Sequence, residues 1–380
     1  MKLHPPVLLL VLSFFFAFNI SAAPLAPPAT PTIAAKSFLL GEFTSGRILA
    51  EQGADIRTEP ASLTKLMTAY LVFSALKQGR LQSNQALPVS EHAYRAEGSR
   101  MFLEMNKAVT VDELLRGMIV QSGNDASVAL AEAVSGSEEA FAQTMTKEAR
   151  RLGMDNTNFT NATGLPHPQH YTTAKDLFKM AHAIIRDFPQ YYPLYSIKEY
   201  TYNNITQPNR NRLLWLDPYV DGMKTGHTAT AGYCLVTSAK RGPMRLISVV
   251  LGSASDSARV RESQKLLNHG FQFYETHRVY QKNGVIATLP VWKGSEKTVK
   301  VGLNYDLYLT LLKGDYANLK ANLVSKQPLF APLRMGTTIA ILRLTKNGQH
   351  YADYPLTVLE EVPVAGFFGR TWDSIKLFFT

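Results

Sequence analysis

The chain has a single cysteine and no apolar segment long enough to span a membrane. Its one cysteine, Cys234, excludes an intrachain disulfide, and the apolar run at residues 7–18 is shorter than the roughly 20 residues of a spanning helix. The net charge is +10, but no block of Lys and Arg resembles a basic arm, so we expect no nucleic-acid partner. A scattered positive charge suits anionic lipid or a substrate that carries carboxylates.

The first 23 residues are typical of a signal peptide. Lys2 supplies a positive start, residues 7–18 form the apolar segment, and small residues follow near Ala22 and Ala23. The alternative is an uncleaved anchor. The sequence therefore predicts export, and we expect the protein at the periplasmic face of the inner membrane, with a loose Pro/Ala-rich leader at residues 24–31.

The length favours two domains. Residues 24–275 are predicted to form an antiparallel sheet surrounded by helices, which makes the fold class α+β. The pattern predicts a hairpin at 36–49, strands at 234–240 and 244–251, and helices at 62–76, 111–118, 126–134, 138–152, 173–186 and 259–276.

Residues 276–362 are predicted to form a small all-β domain. Short β-branched and apolar runs alternate there with Gly, Asn and Pro, at 285–290, 297–303, 307–312, 319–324, 338–344 and 354–358.

The last segment, residues 363–380, is predicted to be an amphipathic helix. At about 100° per residue, its aromatic residues fall on one arc and Arg370, Asp373, Ser374 and Lys376 on the other, with Leu377 as the exception. Such a helix suits a membrane surface, with Pro363 and Gly366 as a flexible joint, although it could instead pack on the β-domain.

Ser62 and Lys65 are the first candidate catalytic pair. They stand three residues apart at a predicted helix start, so the amine can reach the hydroxyl. A neutral lysine activates a serine by accepting its proton, and burial with a nearby positive charge favours that neutral form. The motif alone also fits a surface helix.

Two further motifs follow in the chain. Ser122-Gly123-Asn124 suits a tight loop, in which Ser122 relays a proton and Asn124 holds a substrate amide; by itself it also fits a helix cap. Lys224-Thr225-Gly226 precedes a strand. Lys224 is expected to lower the pKa of Lys65 and attract a carboxylate, Thr225 to bind that carboxylate, and Gly226 to let substrate approach.

The three motifs together resemble the low-molecular-mass penicillin-binding proteins, the serine-type D-alanyl-D-alanine carboxypeptidases. The motif class Ser-x-x-Lys, Ser-x-Asn and Lys-Thr-Gly is that of this group and of β-lactamases. The resemblance continues through the flanking residues at 60–68, 118–126 and 220–228, the β-domain and the tail.

This resemblance implies an acyl-enzyme on Ser62 that releases the terminal D-alanine of peptidoglycan stem peptides and is inhibited by β-lactams. It also implies an oxyanion site at the backbone N–H groups of Ser62 and His227, and a role for Arg210 in orienting the substrate carboxylate.

Three alternatives use the same fold. A class A β-lactamase needs a Glu between the second and third motifs, and residues 155–173 contain none. A D,D-endopeptidase and a sensor that acylates without turnover both remain open. His167 and His170 lack a third ligand at metal spacing, so we expect no metal, and no motif indicates a cofactor.

Overall fold

The computed structural model describes residues 28–378, so the predicted signal peptide at 1–23 lies outside the described residues. Up to residue 273 the strands and helices alternate irregularly. The strands are β1 (Ser37–Glu42), β2 (Ile48–Gln52), β3 (Ala86–Leu87), β4 (Val109–Thr110), β5 (Glu199–Tyr202), β6 (Ile205–Pro208), β7 (Val220–Thr228), β8 (Gly232–Arg241) and β9 (Met244–Ser253). The helices are α1 (Lys65–Lys77), α2 (Glu91–Tyr94), α3 (Val111–Val120), α4 (Asn124–Ser135), α5 (Glu138–Arg151), α6 (Ala174–Asp187), α7 (Leu213–Leu216) and α8 (Asp256–Phe273).

A five-stranded antiparallel sheet organises this part of the chain, in the order β2-β1-β9-β8-β7. Successive strand residues point to opposite faces, so each strand serves two cores. Leu39 and Val249 pack with the helices α1 and α3 to α6 on one face, whereas Phe38 and Val250 pack with α8 on the other. Strand β7 lies at the sheet edge, which leaves one side of it open.

A second, all-β part follows α8. Its strands are β10 (Tyr274–Tyr280), β11 (Ala287–Trp292), β12 (Thr298–Gly302), β13 (Leu307–Leu312), β14 (Leu319–Ser325), β15 (Leu329–Phe330), β16 (Thr338–Lys346) and β17 (Gln349–Val358). They form the pair β10-β13 and the sheet β14-β16-β17-β12-β11-β15, around a core of Leu and Val side chains. Helix α9 (Phe367–Phe378) follows.

The structure confirms the α+β fold class and the predicted hairpin, and it differs from the sequence prediction at two helices. The helix predicted from residue 62 begins as a 3₁₀ turn, Ala61–Thr64, and becomes α-helical at Lys65. The helix predicted at 259–276 starts earlier, because the Ser255 side chain caps it by accepting the N–H of Ala258. It ends at Phe273, because Tyr274 begins a strand that pairs with β13.

The helix predicted for the tail is present as α9, and no helix between residues 28 and 378 is long and apolar enough to cross a membrane. The predicted flexible joint before it is wrong. The backbone at Pro363 and Ala365 is hydrogen-bonded to Ser295 and Lys293, which ties this segment to the β-domain.

Candidate active site

Ser62 lies in the 3₁₀ turn that precedes α1, beside the edge strand β7. The turn and the strand are in close contact: a Cβ atom at Gly226 would stand 3.0 Å from the Pro60 carbonyl oxygen and 3.2 Å from the Ala61 Cβ atom. Gly226 is therefore needed for the packing of β7 on the nucleophile turn. This internal approach is a second reason for glycine here, beside the predicted approach of substrate, which stays a prediction.

Lys65 places its amine at the centre of the predicted site. The side chain is 1% exposed, and its Nζ lies 3.1 Å from Ser62 Oγ, 2.7 Å from Asn124 Oδ1 and 2.6 Å from the Thr163 carbonyl oxygen. These contacts bring the first two motifs together and hold the amine within proton-transfer distance of the serine.

The second motif contributes two buried side chains. The Ser122 backbone has a φ of +69°, and within residues 28–378 its buried hydroxyl makes no hydrogen bond. It is thus available to a substrate. The Asn124 amide is anchored at both ends: Oδ1 accepts from Lys65, and Nδ2 donates to the Glu97 carbonyl at 2.5 Å. One N–H and one lone pair remain, and its contact with a substrate amide stays a prediction.

The third motif lines the other side of a small polar pocket of about 130 Å³. Thr225 and Gly226 face this pocket from β7, and His227 is exposed at its rim with its ring against Tyr233. Lys224 is buried behind them, and its Nζ donates to the Thr225 carbonyl at 3.2 Å. Thr225, Gly226 and His227 thus line one cavity together with Ser62, Ser122 and Arg210.

Two arginines supply permanent positive charge to the pocket. Arg210 is anchored by a hydrogen bond from Nε to the Gln121 carbonyl at 3.1 Å. Arg259, on α8, is buried, and its Nη1 donates to the Gly226 carbonyl at 3.0 Å. Arg259 could not be predicted from the sequence, because a lone arginine on a helix carries no motif that would distinguish it.

The pKa of Lys65 is lowered to about 7, mainly because the amine is buried and secondarily because Arg210 repels its proton, while Asp125 acts in the opposite direction. Burial and repulsion from Lys65 lower the pKa of Lys224 well below its usual range. The two buried amines therefore disfavour each other's protonation, and the predicted effect of Lys224 on the pKa of Lys65 stays a prediction.

The loop at residues 160–170 braces the nucleophile turn from behind and was not identified from the sequence. A Cβ atom at Gly164 would stand 1.8 Å from the Ala61 carbonyl oxygen. His170 is buried between the two segments: Nδ1 accepts from the Thr160 N–H, so the proton is on Nε2, which donates to Thr64 Oγ1 at 2.8 Å. Burial lowers the pKa of His170 to about 4, which keeps the ring neutral.

Asp125 fixes a second segment beside the pocket. Its buried carboxylate accepts hydrogen bonds from the backbone N–H groups of Met101 and Leu103, at 2.9 and 3.1 Å. These bonds hold the loop that carries Ser99, which also lines the pocket. The prediction passed over Asp125 because its partners are backbone groups, which no side-chain motif records.

Comparisons with known proteins agree with this geometry. Residues 24–255 match the D-alanyl-D-alanine carboxypeptidase family Peptidase_S11, and residues 274–364 match the C-terminal domain of penicillin-binding protein 5. The chain is 42% identical over 374 residues to D-alanyl-D-alanine carboxypeptidase DacC of Escherichia coli, covering 96% of this chain and 93% of that protein.

Solved structures support the same family assignment. Penicillin-binding protein 5 of Haemophilus influenzae superposes with a TM-score of 0.85 at 42% identity, covering 88% of this chain and 99% of the other. Ampicillin-bound penicillin-binding protein D2 of Listeria monocytogenes superposes with a TM-score of 0.59 at 31% identity, covering 64% of this chain and all of the other. The resemblance inferred from the three motifs is therefore confirmed, and the chain belongs to the D-alanyl-D-alanine carboxypeptidase family.

Proposed function

We propose that this protein removes the terminal D-alanine from peptidoglycan stem peptides through an acyl-enzyme on Ser62. The observation that carries the proposal is the buried Lys65 amine, which lies 3.1 Å from Ser62 Oγ and has a pKa lowered to about 7. A substantial fraction of this lysine is therefore neutral at neutral pH and able to accept the serine proton.

The proposed reaction has two steps. Ser62 Oγ attacks the carbonyl carbon between the two terminal D-alanines while its proton passes to Lys65, and the backbone N–H groups of Ser62 and His227 bind the developing oxyanion. Lys65 then passes this proton to Ser122, which gives up its own proton to the leaving nitrogen, so that the peptide bond breaks and free D-alanine departs. Water hydrolyses the remaining ester, which restores the Ser62 hydroxyl.

Substrate orientation is assigned to the positive and hydrogen-bonding groups beside β7. Arg210 and Thr225 line the pocket and would bind the C-terminal carboxylate, and the charge of a guanidinium persists when buried lysines are neutral. The same groups would bind the carboxylate of a β-lactam, whose ring Ser62 would open to leave an ester. The ampicillin-bound relative supports this part of the proposal.

The test uses the purified protein and a soluble pentapeptide ending in D-Ala-D-Ala. Free D-alanine should appear, Ser62→Ala should abolish it, and Ser74→Ala on α1, remote from the pocket, should leave the rate unchanged. If Ser62 is labelled by penicillin but no D-alanine is released, the sensor alternative holds. If cross-linked peptide dimers are cut in preference to the pentapeptide, the endopeptidase alternative holds.

We also propose that the exported protein is held at the periplasmic face of the inner membrane by α9, whose Phe367, Phe368 and Trp372 side chains are exposed. Deleting residues 366–380 should move the protein from the membrane pellet to the soluble fraction and leave activity on the soluble pentapeptide intact. Truncated protein that still sediments with membranes would contradict this attachment.

A further inference from the structure

Helix α9 is attached to its own β-domain through one polar side chain, Asp373. The Asp373 side chain is only 3% exposed, and its carboxylate accepts hydrogen bonds from the Lys293 backbone N–H at 2.7 Å and from Lys297 Nζ at 3.1 Å. Gly369 and Leu377, one turn before and after, are partly buried on the same side. The helix is therefore docked through a carboxylate, and this docking accounts for Leu377 as the exception in the predicted polar arc.

The apolar side of α9 consequently points away from the protein. Phe367, Phe368, Trp372 and Ile375 are 70%, 86%, 58% and 48% exposed. Aromatic side chains exposed to this extent on one helix face indicate a surface that is covered in the working state of the protein.

The neighbouring end of the β-domain carries another exposed aromatic residue. Phe330 is 45% exposed on β15, where it pairs in register with Trp292 at the end of β11. Lys293, the next residue, places its Nζ 5.8 Å from the centre of the Phe330 ring. The Lys293 backbone bonds both to Asp373 of α9 and to Ala365 just before the helix. Phe330 and α9 thus meet at one turn, residues 293–297.

The charges around this turn favour an anionic partner. Positive side chains outnumber negative ones in the turn and on α9: the basic residues are Lys293, Lys297, Arg370 and Lys376, and the acidic ones are Glu296 and Asp373. Asp373 is paired with Lys297, and without this pair the positive residues still outnumber the negative one: Lys293, Arg370 and Lys376 against Glu296. Aromatic residues beside basic ones suit the headgroup layer of an anionic bilayer.

We propose that Phe330 and Lys293 extend the lipid-binding face of α9 onto the β-domain, forming one surface that binds an anionic phospholipid bilayer. The inference rests on the membrane attachment proposed above and adds a second contact to it. Asp373 holds the two parts together, so the β-domain end and the helix reach the lipid at the same time.

Trp292 provides a direct probe of this surface. A variant that keeps Trp292 alone, W215F/W372F, is mixed with vesicles of phosphatidylethanolamine and phosphatidylglycerol whose acyl chains are brominated. Emission from Trp292 should be quenched, as should emission from Trp372 in W215F/W292F, whereas Trp215 in W292F/W372F should keep its emission. Quenching of Trp372 without quenching of Trp292 would overturn the proposal and leave attachment by α9 intact.

Substitution supplies the second measurement. Phe330→Glu should weaken sedimentation with the same vesicles about tenfold, since it removes one buried aromatic contact. The matched control is Val285→Glu: Val285 is 56% exposed just before β11, on the same domain but at the other end of the strand from Trp292. Each variant is first shown to retain penicillin labelling at Ser62.

The outcomes are distinguishable. If Phe330→Glu, Val285→Glu and the unmodified protein bind vesicles equally well, the contact at Phe330 is overturned and the attachment by α9 is not. Unmodified protein that fails to bind vesicles would overturn the attachment and this inference together, while release of D-alanine from the pentapeptide tests the catalytic proposal separately. If Phe330→Glu instead changes sedimentation velocity without vesicles and leaves vesicle binding unaltered, the surface belongs to a second copy of the chain and the proposal is wrong.

Discussion

At the scale of single residues, the buried amine of Lys65 is the centre of the site. It contacts Ser62, Asn124 and the Thr163 carbonyl, so its position is fixed from three directions. Burial favours loss of its proton, and the Arg210 guanidinium adds to this tendency. The environment that holds the amine in place is thus the same one that prepares it to act as a base.

The rate of Ser62 acylation should follow the ionisation of Lys65. Because only the neutral amine accepts a proton and its pKa is about 7, the second-order rate should rise about tenfold per pH unit below 7 and level off above it. Stopped-flow mixing with a fluorescent penicillin, from about pH 5 to about pH 9, measures this profile.

Arg210→Gln provides the control for that profile. Removing the guanidinium removes a charge that lowers the pKa of Lys65, so the midpoint should move to higher pH, whatever happens to the maximal rate. A profile that is flat between pH values about two units apart around neutrality would contradict Lys65 as the base.

The residues that carry motifs were predictable from the sequence, and those that act through backbone contacts were not. Ser62, Lys65, Ser122 and Lys224 stand in recognisable spacings. The first three meet at the pocket, and Lys224 is buried behind Thr225, which lines it. The carbonyl of Thr163 serves Lys65 from 98 residues away, and any residue type offers a carbonyl. Only the folded chain identifies such a partner.

At the scale of elements, the loop before α6 sets the position of the nucleophile turn. Gly164 has a φ of +88°, and its Cα faces the Ala61 carbonyl at a distance that leaves no room for a methyl group. The loop is fixed on its other side by Asn161, whose Oδ1 accepts the Gly164 N–H at 2.7 Å. The turn therefore cannot move independently of the loop.

Gly164→Ala should lower the stability of the fold and slow acylation at Ser62. The added methyl group meets backbone atoms that cannot move aside cheaply, so the loss in unfolding free energy should exceed the roughly 1–2 kcal/mol of a left-handed alanine. Gly153→Ala isolates that smaller cost, because Gly153 has a φ of +75° and its new methyl group would meet only Lys179 Nζ, at 3.9 Å.

Urea unfolding and penicillin labelling distinguish the two glycine variants. Gly153→Ala should be labelled by penicillin at the rate of the unmodified protein. Its unfolding free energy should fall only by the cost of a left-handed alanine. If Gly164→Ala and Gly153→Ala had equal urea midpoints and equal rates of penicillin labelling, the loop would not brace the turn.

Helix existence and polarity were predictable at this scale, and helix docking was not. The 3.6-residue period located α9 and its aromatic arc, and the same reasoning located most of the helices around the sheet. The helical period identifies the polar side of α9, but it does not show which part of the protein that side contacts. Only the Asp373 contacts show that the helix is attached to the β-domain on this side.

At the scale of the whole molecule, a buried carboxylate connects the two main parts. Glu42, at the end of β1, is fully buried and accepts hydrogen bonds from the Ser45 N–H at 2.7 Å and from Thr310 Oγ1 at 3.2 Å. Thr310 belongs to β13 of the β-domain, and Arg47 donates to its carbonyl as well. No sequence pattern marks this junction, since its partners lie more than 260 residues apart.

Glu42→Ala should destabilise the junction by about 1–3 kcal/mol, because it removes the carboxylate that accepts hydrogen bonds from Ser45 and Thr310. Scanning calorimetry should show a lower melting temperature and a wider separation between the unfolding of the two parts. Glu51→Ala, on the exposed end of β2, is the matched control. A thermogram for Glu42→Ala that overlays that of Glu51→Ala would contradict a role for Glu42 in joining them.

The buried Asp373 has a mechanical consequence when combined with this junction. One carboxylate joins the helix to the β-domain, and the other joins the β-domain to the sheet that carries the nucleophile turn. With α9 in the lipid surface, as proposed, Ser62 would stand at a nearly constant height above the membrane. The enzyme would then trim a thin layer of cell wall at that height, and lengthening or shortening the β-domain would select a different layer.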